Sequence, residues 1–228
     1  MKQRISKTFL RLLALFSLEV LALCAAFFVC LLLFLLMAYL VFSARDNTLD
    51  AALFALADRL ASPGMTLAMK RVSFFASAGF LLVAPPLVVL VLSFFPSWRW
   101  LALKLLLVTF STSVLNQLMK RYFERPRPAF AMLHQSGLSF PSGHAMIGAA
   151  FYGLLIYMVW QKAPVMAWRW TLTLLLTLLV LLIGFSRIYL KVHYATDVLA
   201  GYATGTGWLL VSVTVMRRLE KAYFSRYT

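Results

Sequence analysis

From Val20 to Ala44 the chain runs for 25 residues without a charged side chain. As a helix rising 1.5 Å per residue, such a stretch reaches about 37 Å, enough to cross the hydrocarbon core of a bilayer with some tilt. The rest of the chain agrees. Only 13% of its residues are charged and its mean hydropathy is +0.87, more apolar surface than a soluble domain of 228 residues can expose and stay dispersed. Lys2, Arg4, Lys7 and Arg11 precede the run, as in a secretory leader. The apolar stretch is longer than the usual leader core of about 7–15 residues, however, so a retained first span is expected.

Six spans are predicted, at 18–43, 73–95, 100–119, 144–161, 168–187 and 197–216. The expected fold is therefore all-α: one integral-membrane domain over 1–228, with six transmembrane helices. Pro85-Pro86 is expected to kink the second span where neighbouring helices cover the freed carbonyls. Between the first two spans, residues 46–71 place Leu49, Leu53, Leu56 and Leu60 at helical spacing with Asp50 and Asp58 between them. That pattern predicts a short amphipathic helix on the membrane surface, ending near Pro63-Gly64 and serving as a packing element.

A formal net charge of +15 points to nucleic acid in a soluble protein, but here anionic lipid accounts for it and no nucleic-acid partner is expected. With the N-terminus in the cytoplasm, the inner segments hold twelve Lys and Arg against Glu19 and Glu220, a net of +10. The outer segments hold ten against five acids, a net of +5. The positive-inside bias thus favours that orientation. Trp98, Trp100, Trp160, Trp168 and Trp170 gather at the two inner loops, as an interfacial belt does. Cys24 and Cys30 lie six residues apart on one span, point in different directions and are expected to stay unpaired.

Three polar islands interrupt the apolar chain: "KRYFERPRP" at 120–128, "FPSGHAM" at 140–146 and "SRIYLKVHYATD" at 186–197. With six spans in this order, all three emerge on one face. Lys120, Arg127 and Arg187 sit at the ends of apolar helices, where charge is costly without a partner, and the two loops offer few carboxylates. Guanidinium forks in surplus suit a phosphate. For Arg121, Arg125 and Lys191 the expectation is contact with lipid headgroups.

Ser142 is a good N-cap for the helix beginning at Ala145, and Gly143 lets a ligand approach the backbone. Free amides at such a helix start attract anions, which would place a phosphate beside His144; the same four residues also read as a capped helix with an incidental histidine. His193 and Asp197, four apart, share a helix face. The carboxylate can hold one ring nitrogen and leave the other free as a nucleophile.

Together the islands fit K-x6-RP (Lys120, Arg127, Pro128), PSGH (141–144) and SR-x5-H-x3-D (Ser186, Arg187, His193, Asp197). This resembles the three-part signature of the type 2 phosphatidic acid phosphatase family of membrane lipid phosphatases, whose motifs are shared with the vanadium-dependent haloperoxidases. The signature covers 120–197. The resemblance implies that His193 attacks phosphorus to form a phosphohistidine, that Asp197 orients it, and that Lys120, Arg127, Arg187, Ser142 and Gly143 hold the phosphoryl oxygens. His144 would protonate the leaving oxygen and then activate water, with no metal or other cofactor. The expected substrate is a lipid phosphate or diphosphate in a bacterial inner membrane, with the site facing outward. Undecaprenyl diphosphate, phosphatidylglycerol phosphate, phosphatidic acid and diacylglycerol diphosphate are candidates, and the extra cations favour a diphosphate slightly. Transfer of the phosphoryl group to another acceptor, or a lipid transporter without chemistry, are the competing readings.

Overall fold

The computed structural model describes residues 18–133 and 135–225; Lys2, Arg4, Lys7, Arg11 and Arg226 of the charge count lie outside them. Among the described residues the structure is helical, with no strand. α1 (Leu18–Ala38) continues as a π-helical turn (Tyr39–Ala44), followed by α2 (Thr48–Arg59), α3 (Pro63–Phe74) and α4 (Ala78–Ser93). A 3₁₀ turn (Pro96–Trp98) leads into α5 (Arg99–Phe123), then α6 (Gly143–Lys162), α7 (Met166–Tyr189) and α8 (Ala195–Phe224).

Five helices are long and apolar enough to cross a membrane alone, and α3 with α4, bent by 43°, forms a sixth candidate. Packing at the bundle ends shows that the bent pair completes a crossing. The Phe42 ring beyond α1 stacks 5.1 Å from Phe123 at the end of α5, while Arg217 near the end of α8 bonds Glu19 at the start of α1. Helices α1 and α5 therefore run in the same direction, and the chain between them must return. Six crossings follow, as the apolar pattern predicts.

The short helix expected ahead of Pro63-Gly64 is α2, which ends at Arg59. Pro63 then opens α3 behind the Ser62 N-cap, whose hydroxyl accepts from the Met65 amide at 3.2 Å. Proline suits the first helical turn, whose amide has no intrahelical partner. The bounds of the second span are corrected: it begins at Pro63 rather than at 73. Its bend falls between Phe74 and Ala78, where Ser77 caps α4, and α4 itself runs through Pro85 and Pro86.

The buried stripe of α2 is Asp50, Phe54 and Ala57, while Leu56 and Leu60 are exposed. That stripe packs on α7 and α8 rather than lying free on a lipid surface.

α6 is the central helix, in contact with α5, α7 and α8. Its buried face includes Gly148, Ala149 and Ala150. Small residues let membrane helices approach closely, and packing rather than hydrophobic transfer holds such helices together. The closest approach is to α8: a Cβ at Gly201 would lie 2.7 Å from the Ser142 carbonyl oxygen, and one at Gly205 2.2 Å from that of Met146. The start of α6 is thus pressed against the start of α8, which brings the second and third islands together. Leu82, Leu87, Phe110 and Leu174 are among the large apolar residues left facing outward, as lipid contact requires.

Trp160 packs edge-on to Trp170 at 5.2 Å, and Lys162 lies over Trp98 at the same bundle end. Cys24 and Cys30 are free thiols.

Candidate active site

Glu124 ends α5 in a left-handed turn (φ 47°), which turns the chain inward from Lys120 towards Arg125 and Arg127. The loop that follows is tied to the short connection between α7 and α8. The Met132 amide donates to the Leu190 carbonyl at 3.0 Å, and the Ser142 amide to that of Asp197 at 3.0 Å. All eight residues expected at the site gather at this end of the bundle.

His193 precedes α8 rather than riding on it, and its backbone amide donates to the Arg187 carbonyl at 3.3 Å. The ring is buried, with Nδ1 3.3 Å from Asp197 Oδ2 and Nε2 3.1 Å from Arg127 Nη1. Burial pushes this imidazole down to about 4; Asp197 opposes the shift, and Arg127 and Arg187 reinforce it. The ring is neutral at physiological pH, with a proton on Nδ1 to donate to Asp197 and a lone pair on Nε2.

Asp197 is fully buried. It accepts from Arg125 Nη1 at 2.5 Å, from the Tyr194 amide at 2.9 Å, and from the Ser139 hydroxyl.

Three cations surround the neighbouring His144, and one of them, Arg127, reaches the far nitrogen of His193. Lys120 Nζ donates to the Leu138 carbonyl at 2.8 Å. Arg127 donates to the carbonyls of Gly137 and Val192 and to Gln135, at 3.0, 2.9 and 3.2 Å; burial lowers its guanidinium from the ordinary value and Asp197 opposes this. Arg187, 1% exposed, donates to the side chains of Ser73 and Gln135.

Ser142 holds the N-cap position of α6, but its hydroxyl caps nothing. Its Oγ and the Nε of Arg187 are buried and without a hydrogen-bond partner among the described residues. Two orphaned polar atoms in one site are expensive unless a ligand completes them. Gly143 has a second reason to be glycine, since a Cβ there would lie 3.0 Å from Asn116 Oδ1. His144, in the first turn of α6, has Arg187, His193, Arg127 and Lys120 as its charged neighbours.

The expectation for Arg125 is overturned. It is 8% exposed, lies 3.9 Å over the Tyr194 ring, and bridges Asp197 and Asp50, the latter at 2.8 Å from Nη2. Lys191 pairs with Asp58 at 2.5 Å, while Arg121 is exposed. Asp50, Gln135, Ser139, Ser73 and Thr196 are polar members of the site that the motifs do not contain. Asp50 sits at helical spacing from the apolar residues of α2, and its burial beside Phe54 emerges only from the structure.

Among the described residues, no group of three or more His, Cys, Asp or Glu is placed to hold a metal. The arrangement instead gathers fixed cations around a neutral, carboxylate-held imidazole, which suits phosphoryl transfer.

Comparison with known proteins agrees with this chemistry. The family model of the PAP2 superfamily matches residues 101–221. Phosphatidylglycerophosphatase B of Bacillus subtilis is 33% identical over 178 residues, covering 76% of this chain and 86% of that protein. A lipid A 1-phosphatase of Rhizobium johnstonii is 27% identical over about half of each chain, 52% of this one and 49% of that one. Among solved structures, the transmembrane PAP2 type phosphatidylglycerolphosphate phosphatase of Bacillus subtilis superposes with a TM-score of 0.77 at 27% identity, over 84% of this chain and 96% of that one.

Proposed function

The chain belongs to the PAP2 superfamily and is a multi-pass membrane phosphatase, and from that premise we propose that it removes the terminal phosphate of a lipid phosphate through a covalent phosphohistidine on His193. The observation that carries this reading is the pair of buried orphan atoms, Ser142 Oγ and Arg187 Nε, beside an imidazole whose Nδ1 is held by Asp197. A tetrahedral oxyanion supplies the acceptors that these donors lack.

In the first step His193 Nε2 bonds to phosphorus as the bond to the lipid oxygen breaks, and His144 gives its proton to that oxygen. The Nδ1 proton stays on the ring, so the imidazole becomes a cation that Asp197 stabilises. Lys120, Arg127, Arg187, Ser142 and the Gly143 amide stabilise charge on the phosphoryl oxygens. Then water attacks phosphorus, His144 accepts its proton, and the nitrogen–phosphorus bond breaks to release phosphate. No step requires a metal.

The preference for a diphosphate rested on Arg121, Arg125 and Lys191. Arg125 and Lys191 are already held by carboxylates and Arg121 is exposed, so they offer no second phosphate site. A monophosphate is the better substrate, and phosphatidylglycerol phosphate is the first to test given the similarity to phosphatidylglycerophosphatase B. We place the protein in a bacterial inner membrane with the site facing outward, on the charge bias of its loops.

The test is phosphate release by purified protein in detergent with EDTA, on a panel of lipid monophosphates and diphosphates beside His193→Ala. Release that survives chelation and is absent from the variant is the expected result. Turnover in His193→Ala would overturn the phosphohistidine, and radiolabel captured by an added alcohol instead of water would make the protein a transferase.

A further inference from the structure

The two sides of the His193 ring carry opposite charge. At Nε2 stands Arg127, which shares Gln135 with Arg187, and both cations and Lys120 neighbour His144. Behind, at Nδ1, stand Asp197 and, through it, Arg125 and Asp50. If Asp197 had only Arg125 behind it, the pair would be neutral and the ring would face no net countercharge.

Asp50 changes that balance. Its carboxylate is 2% exposed and sits on α2, about 150 residues from Asp197 in the chain. Besides Arg125, it accepts from the Thr196 amide at 2.9 Å and from the Thr196 hydroxyl at 3.0 Å. Thr196 Oγ1 in turn accepts from Arg125 Nη1 at 2.7 Å. Asp50, Arg125 and Asp197 thus form one continuous hydrogen-bonded group with two negative charges and one positive.

We propose that Asp50 is a positioning residue for catalysis, acting through Arg125 to leave the carboxylate side of His193 one negative charge in surplus. The ring itself meets that charge with an opposite one only when it becomes a phosphoimidazolium. In the resting site the ring is neutral and the group behind it carries −1. As the nitrogen–phosphorus bond forms, Nδ1 keeps its proton, the ring becomes positive, and the group is neutralised. An interaction that strengthens as charge develops accelerates the step, whereas one equally strong before and after does not. This inference rests on the phosphohistidine reading above.

The experiment compares Asp50→Asn, Arg125→Gln and Arg125→Lys with the unaltered protein on phosphatidylglycerol phosphate. Steady-state kinetics are read alongside the pH midpoint of diethylpyrocarbonate modification at His193, followed by mass spectrometry of its peptide. In Asp50→Asn, kcat should fall roughly tenfold to a hundredfold with KM within about twofold, and the His193 midpoint should not rise. Arg125→Gln, which removes the cation between the two carboxylates, should raise the midpoint above that of the unaltered protein, and Arg125→Lys should leave it unchanged. A merely structural role would loosen the burial of the ring and move the midpoint upward in every variant. A rise in Asp50→Asn or Arg125→Lys, or kcat in Asp50→Asn within about twofold of the unaltered protein, would overturn the inference. Should Asp50→Asn not fold, the contrast between the two Arg125 variants decides alone. Turnover in His193→Ala is a separate outcome that sinks the phosphohistidine itself.

Discussion

Arg127 Nη1 lies 3.1 Å from His193 Nε2, so the nitrogen proposed to attack phosphorus already faces a guanidinium. The same nitrogen of Arg127 also donates to the Val192 carbonyl and to Gln135. Those neutral acceptors are weak partners for a guanidinium compared with a phosphoryl oxygen. On the proposed mechanism, a bound phosphate would replace them with a charged acceptor and free the lone pair of Nε2.

Removing Arg125 should cost both stability and rate. Arg125→Ala leaves Asp50 and Asp197 facing each other in a buried site, and breaking a buried ion pair in this way costs roughly 3–5 kcal/mol. Thermal unfolding in detergent should show a clear drop, and turnover should fall at least about a hundredfold. Unfolding and turnover like those of the unaltered protein would mean that the two ion pairs carry neither.

Ser142→Ala should separate folding from binding. Its hydroxyl is buried and unpartnered among the described residues, so deleting it should leave the ligand-free protein as stable as before or slightly more so. Vanadate, a mimic of five-coordinate phosphorus, should bind roughly tenfold more weakly to the variant. Equal inhibition of both proteins would remove Ser142 from the phosphate site.

His144→Ala should depend on the leaving group. With a lipid alkoxide, rate should fall by about 10²–10⁴. An aryl phosphate, whose leaving oxygen needs no proton, should recover much of that loss. Equal losses on both substrates would argue against proton donation by His144.

Gly205→Ala should pry α6 from α8, because the new Cβ would lie 2.2 Å from the Met146 carbonyl oxygen. Overpacking of this kind costs roughly 1–3 kcal/mol, and the shift should also part His144 from His193 and slow turnover. Gly64→Ala, where nothing lies within 4 Å, is the matched control and should be neutral.

Orientation is tested with single cysteines in a background lacking Cys24 and Cys30. Met132→Cys on the site-bearing end should react with an impermeant maleimide in intact cells, and Ser97→Cys at the opposite end should not. The reverse labelling would turn the site to the cytoplasm.

Lys120, Arg127, Arg187, His144, His193 and Asp197 stood out as charges or imidazoles in an apolar chain, whereas Ser142 and Gly143 also read as an ordinary helix start. The span count was legible because lipid demands long uncharged helices. Arg125 was misplaced because its partners, Asp50 and Asp197, are 75 and 72 residues away, and no local pattern pairs them. Asp50 was read as the polar side of a surface helix. Its burial depends on which side of α2 meets α7 and α8, and spacing alone left that choice to the leucines. The second span also bends where no proline marks it: the chain turns by 43° between α3 and α4, at Ser77, before α4 runs on through Pro85 and Pro86.

The backbone contact between α6 and α8 ties durability to turnover in one seam. Most helical proteins can be made hardier by refilling their interior, but here the interior seam leaves no side-chain volume to refill and its upper end carries the candidate site. Gains in robustness must come from elsewhere, above all from the lipid-facing wall of α1, where only Met37 is buried. A protein engineer or an adapting lineage can revise that wall freely, while the seam stays closed to revision.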